Sequence, residues 1–178
     1  MTGKRKSRLF LVALLCAAVV SVGLFAPAAV RAKHPVEPPG SANAFLDCFI
    51  GHWIGEGTAG GTPISDDLVC SRVLDLTFLF MRDEALDGFK ADTYLGYRVE
   101  EGRYELYTFN NNTALGSSLP VRLMTGHRDG DTLVMEEKHG RGALRYTFEF
   151  LDDDTFRLTK AFLTGHGDPF VTEIFRRQ

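Results

Sequence analysis

Of 178 residues, 44% are hydrophobic and 24% charged, the proportions of an ordinary globular domain, which excludes a disordered or fibrous chain. The formal charge of -3 understates how acidic the body is: Lys4, Arg5, Lys6, Arg8 and Arg31 fall within the first 32 residues, which hold no Asp or Glu, and without them 15 basic side chains face 23 acidic ones. Phosphate backbones and anionic head groups repel such a domain, so nucleic acid and acidic membrane surfaces are poor partners for it.

Residues 1–32 run from a basic start through an apolar stretch, Leu9 to Val30, to Val30-Arg31-Ala32. That order is expected of a secretory signal peptide, with Ala26-Pro27-Ala28 as a second cleavage point. An uncleaved anchor is the rival reading, since about 20 apolar residues span a bilayer. The late Pro27 and the alanine cluster favour cleavage, and Leu15 before Cys16 is too bulky for a lipoprotein signal. The mature protein is expected to be secreted or periplasmic, with no membrane span after cleavage. Residues 33–44, with Pro35, Pro38, Pro39 and Gly40, read as a flexible tether. Export makes Cys48 and Cys70 candidates for one disulfide, two buried free thiols being the alternative.

Residues 45–178 read as one domain. Asn43 to Ile50 spaces apolar groups three to four apart behind an Asn cap, as in one or two helical turns. Strands are then expected near His52–Thr58, Leu68–Met81, Ala91–Glu100, Arg103–Asn110, Pro120–Arg128, Thr132–His139, Ala143–Leu151, Thr155–Leu163 and Phe170–Arg177. Glu101-Gly102, Asp129-Gly130 and Asp152-Asp153-Asp154 supply hairpin turns. No segment reads as a long helix, which excludes parallel βαβ folds. Leu144, Tyr146, Phe148 and Phe150 share one parity, as do Phe156, Leu158 and Phe162, and Leu74, Leu76, Phe78 and Phe80, so one face of the sheet is dry. The expected architecture is all-β, an antiparallel up-and-down barrel of about nine to ten strands with a short N-terminal helix, because closure removes exposed edges.

After that helix comes Gly51-His52-Trp53-Ile54-Gly55-Glu56-Gly57, and an arginine stands in the last strand. With the strand succession, this Gly-x-Trp-x-Gly-x-Gly run resembles the calycin superfamily, nearest to nitrobindin-like and fatty-acid-binding-protein-like exported bacterial barrels of unknown function. The resemblance implies that Trp53 plugs the barrel base and that Arg176 lies across its ring, a cation–π contact worth about 0.5–2 kcal/mol. Gly51, Gly55 and Gly57 are structural in this reading, and Gly55 and Gly57 leave room inside the wall. Nitrobindin-like proteins hold haem through one histidine near the last strand, and His166 is the nearest counterpart, so haem is an alternative cofactor.

Other chemistry is thinner. His127, His139 and Glu137 flank one hairpin but fit a solvated rim as readily as a metal site. His52 faces away from Trp53. Ser117 and Ser118 lack the setting of a nucleophile elbow, and Asp66 and Asp67 read as turn residues. Twelve Phe and five Tyr in the mature chain suit an aromatic-walled pocket, for which Tyr94, Tyr97, Tyr107, Phe109, Tyr146 and Phe148 are the candidate lining. The leading expectation is a non-catalytic barrel binding a small apolar or amphipathic molecule, with a haem protein or a structural domain with a filled core as alternatives.

Overall fold

A strand whose alternate residues are apolar must cover one face and leaves the other to solvent. The computed structural model describes residues 37–111, 121–137, 143–163 and 167–178, and in it the apolar faces cover one another by closure. A short helix, α1 (Pro39–Asp47), precedes β1 (Gly51–Ala59), β2 (Thr62–Val73), β3 (Phe78–Ala85), β4 (Lys90–Arg98), β5 (Arg103–Asn110), β6 (Val121–Asp129), β7 (Thr132–Glu137), β8 (Leu144–Asp152), β9 (Thr155–Phe162) and β10 (Pro169–Arg177). Each strand pairs antiparallel with its neighbours in sequence, and β1 pairs with β10 to close the barrel. No helix among the described residues is long and apolar enough to cross a membrane.

The expected strand Leu68–Met81 is two strands. Leu74, Asp75 and Leu76 all have positive φ, and the chain reverses there without a glycine or proline to announce it. Leu74 and Leu76 continue the alternation of the strand before them, yet they are 67% and 68% exposed. Phe78 and Phe80 then lie on the outside of β3, while Leu79 and Met81 are buried inside. β2 also begins earlier than expected, at Thr62, so Asp66 and Asp67 are strand residues and not turn residues.

The helix starts at Pro39, four residues ahead of the expected Asn43, because proline at the first helical position has the right φ and loses no needed N–H. Residues 37–44 are therefore not a loose tether. The Glu37 carboxylate accepts hydrogen bonds from Tyr104 Oη at 2.7 Å and Ser41 Oγ at 2.8 Å, and pairs with Arg128 at 3.1 Å. Tyr97 Oη donates to the Glu37 carbonyl at 2.8 Å. Burial, then the bond to Glu37, holds the Tyr104 hydroxyl above its ordinary titration range. Arg72 fastens the other side of the helix, donating to Asp47 Oδ1 at 2.8 Å and to the Asn43 carbonyl at 2.6 Å.

Under this helix the barrel is solid. Trp53, Phe49, Phe156 and Phe175 are fully buried, Phe156 stacks on Phe175 at 4.8 Å between centroids, and Trp53 meets Phe156 edge-on at 4.9 Å. Trp53 Nε1 donates to the Phe49 carbonyl at 2.8 Å. The guanidinium across the indole belongs to Arg177, with Cζ 4.1 Å from the ring centroid, and not to Arg176. Trp53 is paired with Arg177 in the β1–β10 register, so Arg176 points outward, 3.8 Å from Glu56. A one-residue shift exchanges the faces of a strand, and the adjacent arginines disguise it. Gly51, at φ 139°, lies where a Cβ would come within 2.8 Å of Arg177 Nη1. Gly55 opens no cavity: the Phe175 ring fills the space a side chain would need.

Cys48 and Cys70 are free, the first exposed and the second buried, so the expected disulfide is absent. Cys48 Sγ turns back to the Ala44 carbonyl of its own helix at 3.5 Å. Burial, with Asp83 adding to it, pushes the Cys70 thiol up to about 12, which makes it inert at neutral pH. A reducing agent is expected to leave the thermal midpoint of the folded protein unchanged, whereas a bridge across this loop would forfeit roughly 3 kcal/mol on reduction. A differential-scanning trace with and without reductant checks this.

Candidate functional site

The carboxy-terminal ends of β1, β3, β5, β7 and β9 lie at the rim opposite α1, and here the interior changes character. Inward positions that carry Phe and Leu near the base carry Asp66 on β2, Asp83 on β3, Lys160 on β9 and Glu173 on β10 near the rim. Each is in phase with apolar neighbours: Asp66 with Leu68 and Cys70, Asp83 with Leu79 and Met81, Lys160 with Phe156 and Leu158, Glu173 with Val171 and Phe175. Gly57 makes this layer possible on the β1 side. It faces Glu173 in the register, and a Cβ there would fall 1.9 Å from the Thr172 carbonyl oxygen, so no other residue lets the two strands approach this closely.

Glu173 is 0% exposed and Asp66 4% exposed. Lys160 Nζ lies 3.8 Å from Glu173 Oε2, 5.9 Å from the Phe89 ring centroid and 5.8 Å from that of Tyr146. No standing donor among the described residues reaches Asp66 Oδ1, Asp83 Oδ1 or either Glu173 carboxyl oxygen, and the Glu173 and Asp66 carboxyls lie against each other, so a proton on one bonds to the other. Three carboxyls thus share one ammonium in a place where charge is costly. Burial pushes Glu173 up to about 8, against the pull of Lys160 and with help from Asp66 and Asp83. Burial likewise pushes Asp83 to about 7, opposed by Lys160 and reinforced by Asp66 and Asp67. For Lys160, burial works against the charged form, but Tyr146, Glu173, Asp83 and Asp66 together outweigh it and hold the ammonium above its ordinary range. A second cation, Arg122, is already matched to Glu137 at 2.7 Å.

Beside Asp66 and Lys160 is a cavity of about 320 Å³, walled by Ala59, Ile64, Phe89, Tyr146, Phe170 and Val171 with Asp66, Asp87, Thr108, Arg122 and Lys160 among them. A smaller chamber of about 50 Å³ lies against Asp83, Thr93, Phe148 and Lys160. Phe89, Thr108, Tyr146 and Lys160 border both. The larger volume sits at the low end of ligand pockets, which run from about 300 to 1,000 Å³.

Of the six aromatic residues read as pocket lining, Tyr146 and Phe148 border this interior space. Tyr97 is inside but at the base, against Tyr104 at 5.0 Å. Tyr94, Tyr107 and Phe109 are on the outer wall: Phe80, Tyr94 and Tyr107 are successive register partners there, and Tyr94 meets Phe109 edge-on at 6.2 Å. The inward residues of β5 are Tyr104, Leu106 and Thr108, of opposite parity to Tyr107 and Phe109. His166 and His139 lie outside the described residues. His127 and Glu137 are on opposite faces of the β6–β7 hairpin, and no three metal-ligating side chains gather among the described residues. His52 is outside the wall, 3.0 Å from Asp67 Oδ1. No histidine among the described residues borders the cavity, so the described lining offers haem no axial imidazole.

No protein-family model matches this chain, and no curated protein does. Among solved structures, the crystal structure of Rv2717c from M. tuberculosis aligns with a TM-score of 0.50 at 19% identity, over 77% of this chain and 97% of that one. At that identity the likeness establishes a shared barrel fold and nothing further.

Proposed function

We propose that this chain is an exported, calycin-like barrel that binds one small amphipathic molecule in its rim half, without catalysis of its own. The division of the interior carries this reading: the base half is packed with rings, and the rim half holds a cavity of about 320 Å³ bordered by Asp66, a buried carboxyl whose Oδ1 no standing donor among the described residues reaches. A purely structural core would leave neither the space nor the carboxyls, because an unmatched buried polar group costs about 1–3 kcal/mol. Export is supported by the basic-then-apolar order of residues 1–32, and intact mass of the protein recovered from its native host tests it.

The binding reading is tested with the neutral dye N-phenyl-1-naphthylamine. Its emission is expected to rise on adding the folded protein, and the rise is expected to disappear in Ala59→Trp, which fills the cavity from an inward position at its edge. It is expected to persist in Leu86→Ala, which removes a side chain 89% exposed. No enhancement, or one that survives in a folded Ala59→Trp protein, overturns the reading.

A further inference from the structure

Resting on that binding reading, we infer that the ligand is a cation, a substituted amine or quaternary ammonium whose charged end sits by Asp66, toward the adjoining chamber that Asp83 borders, while its apolar part lies along Phe89, Tyr146 and Phe170.

The observation behind this is the mismatch of charge at the cavity. From β2 comes the Asp66 carboxyl, with those of Asp83 on β3 and Glu173 on β10 beside it, from β9 the Lys160 ammonium and from β8 the Tyr146 hydroxyl; Asp87, at the cavity edge after β3, accepts a hydrogen bond from Phe89 N at 2.9 Å, and β1 contributes Gly57 opposite Glu173. On the far side, Arg122 of β6 is consumed by Glu137 of β7, and Asp67 is outside the wall beside His52. With all three ionised, Lys160 answers one carboxyl and leaves two. Asp66 is the informative one: it is 4% exposed, no standing donor among the described residues reaches its Oδ1, its close neighbour is the Glu173 carboxyl, and it borders the cavity. A carboxyl in that setting is stabilised by an incoming positive charge and left desolvated by a neutral or anionic group. The walls agree, because aromatic faces attract ammonium groups, and two of them already flank the Lys160 ammonium at 5.8 and 5.9 Å.

Protonation of Asp83 and Glu173 is how the empty cluster limits its own charge, at about 7 and about 8 respectively. A cationic ligand favours their ionised forms, so binding releases protons, and affinity for a ligand that does not itself titrate rises with pH through that interval.

The test compares three ligands with one tail, octyltrimethylammonium, octanol and octanoate, as competitors for the dye at pH 6.0 and 8.5. The ammonium is expected to displace dye at a concentration at least about tenfold lower than octanol at pH 8.5, a margin of about 1.4 kcal/mol, with a smaller margin at pH 6.0. Asp66→Asn is expected to remove most of the margin and to leave octanol unchanged; Asp83→Asn provides a second arm should Asp66→Asn fail to fold. Octanol or octanoate matching the ammonium, or a margin that does not grow with pH, overturns the cationic assignment while leaving a ligand-binding barrel intact. Failure of the dye itself to bind overturns the binding reading beneath it.

Discussion

Raising the pH from about 4.5 to 8.5 is expected to lower the thermal midpoint of the unliganded protein, and Glu173→Gln is expected to remove about half of that fall, the rest belonging to Asp83. Glu173 stands at about 8 in the folded barrel against an ordinary value of 4.5, and Asp83 at about 7 against 3.8. Between those limits the unfolded chain has released the two protons and the folded chain still holds them, so each step up in pH favours unfolding. The contribution is fully present below about 4, declines as pH rises, and is gone above the folded values. About 1.4 kcal/mol accompanies each pH unit separating folded from unfolded titration, so with more than three units for each group this is the largest pH effect expected of the fold. Most soluble proteins gain stability over the lower part of this range, because their carboxylates are better matched when folded. Glutamine keeps the size of Glu173 and cannot ionise, so Glu173→Gln is expected to melt above the parent at pH 8.5 and close to it at pH 5. Differential scanning at five pH values measures this. A parent curve that rises to pH 7 and runs parallel to the variant's would show that the carboxyl layer is not strained by charge.

The barrel was legible in the sequence because its signal is repeated: Leu144, Tyr146, Phe148 and Phe150 alternate with polar residues, and such runs recur between turn residues down the chain. Single local signals carry less. Leu74 and Leu76 prolong an alternation past the point where the chain turns, since hydrophobicity carries no record of a positive φ. Arg176 and Arg177 are adjacent, so the resemblance led to the outward one; only the pairing of Trp53 with Arg177 separates them. The site was harder still. Aromatic content points to Tyr94, Tyr107 and Phe109, whose parity places them outside, while Asp66 and Asp67 read as turn residues because aspartate is favoured in turns for local hydrogen bonding. A sharper signal was present. Asp83, Lys160 and Glu173 each occupy the parity of buried apolar neighbours, and a charged residue in that phase is either an error of register or part of a site.

Trp53→Ala is expected to cost about 3–5 kcal/mol of unfolding free energy, the range for emptying a buried ring from a packed core, and Arg177→Ala about 2 kcal/mol or more. Two functions of Arg177 set the second figure. Its guanidinium covers the indole at 4.1 Å, and its nitrogens donate to the carbonyls of Cys48 and Asp153, each at 3.0 Å, to the carbonyl of Ile50, and to Asp154 Oδ1 at 2.9 Å. One side chain therefore ties the end of the helical segment, the β8–β9 turn and the start of β1 together. Lysine keeps the charge but has no planar fork for several acceptors, so Arg177→Lys is expected to recover less than half of the loss. Arg176→Ala, which removes an exposed side chain 3.8 Å from an exposed Glu56, is expected to fall within about 0.5 kcal/mol of the parent. Urea unfolding of the four variants gives the energies. Trp53 is the chain's one tryptophan, so its emission reads the same place directly: Arg177→Ala is expected to shift it to the red in the folded protein and Arg176→Ala to leave it fixed. Equal costs for the two arginines would move the β1–β10 register by one residue. That shift would turn Glu173 out of the barrel and dismantle the carboxyl layer on which the binding site depends.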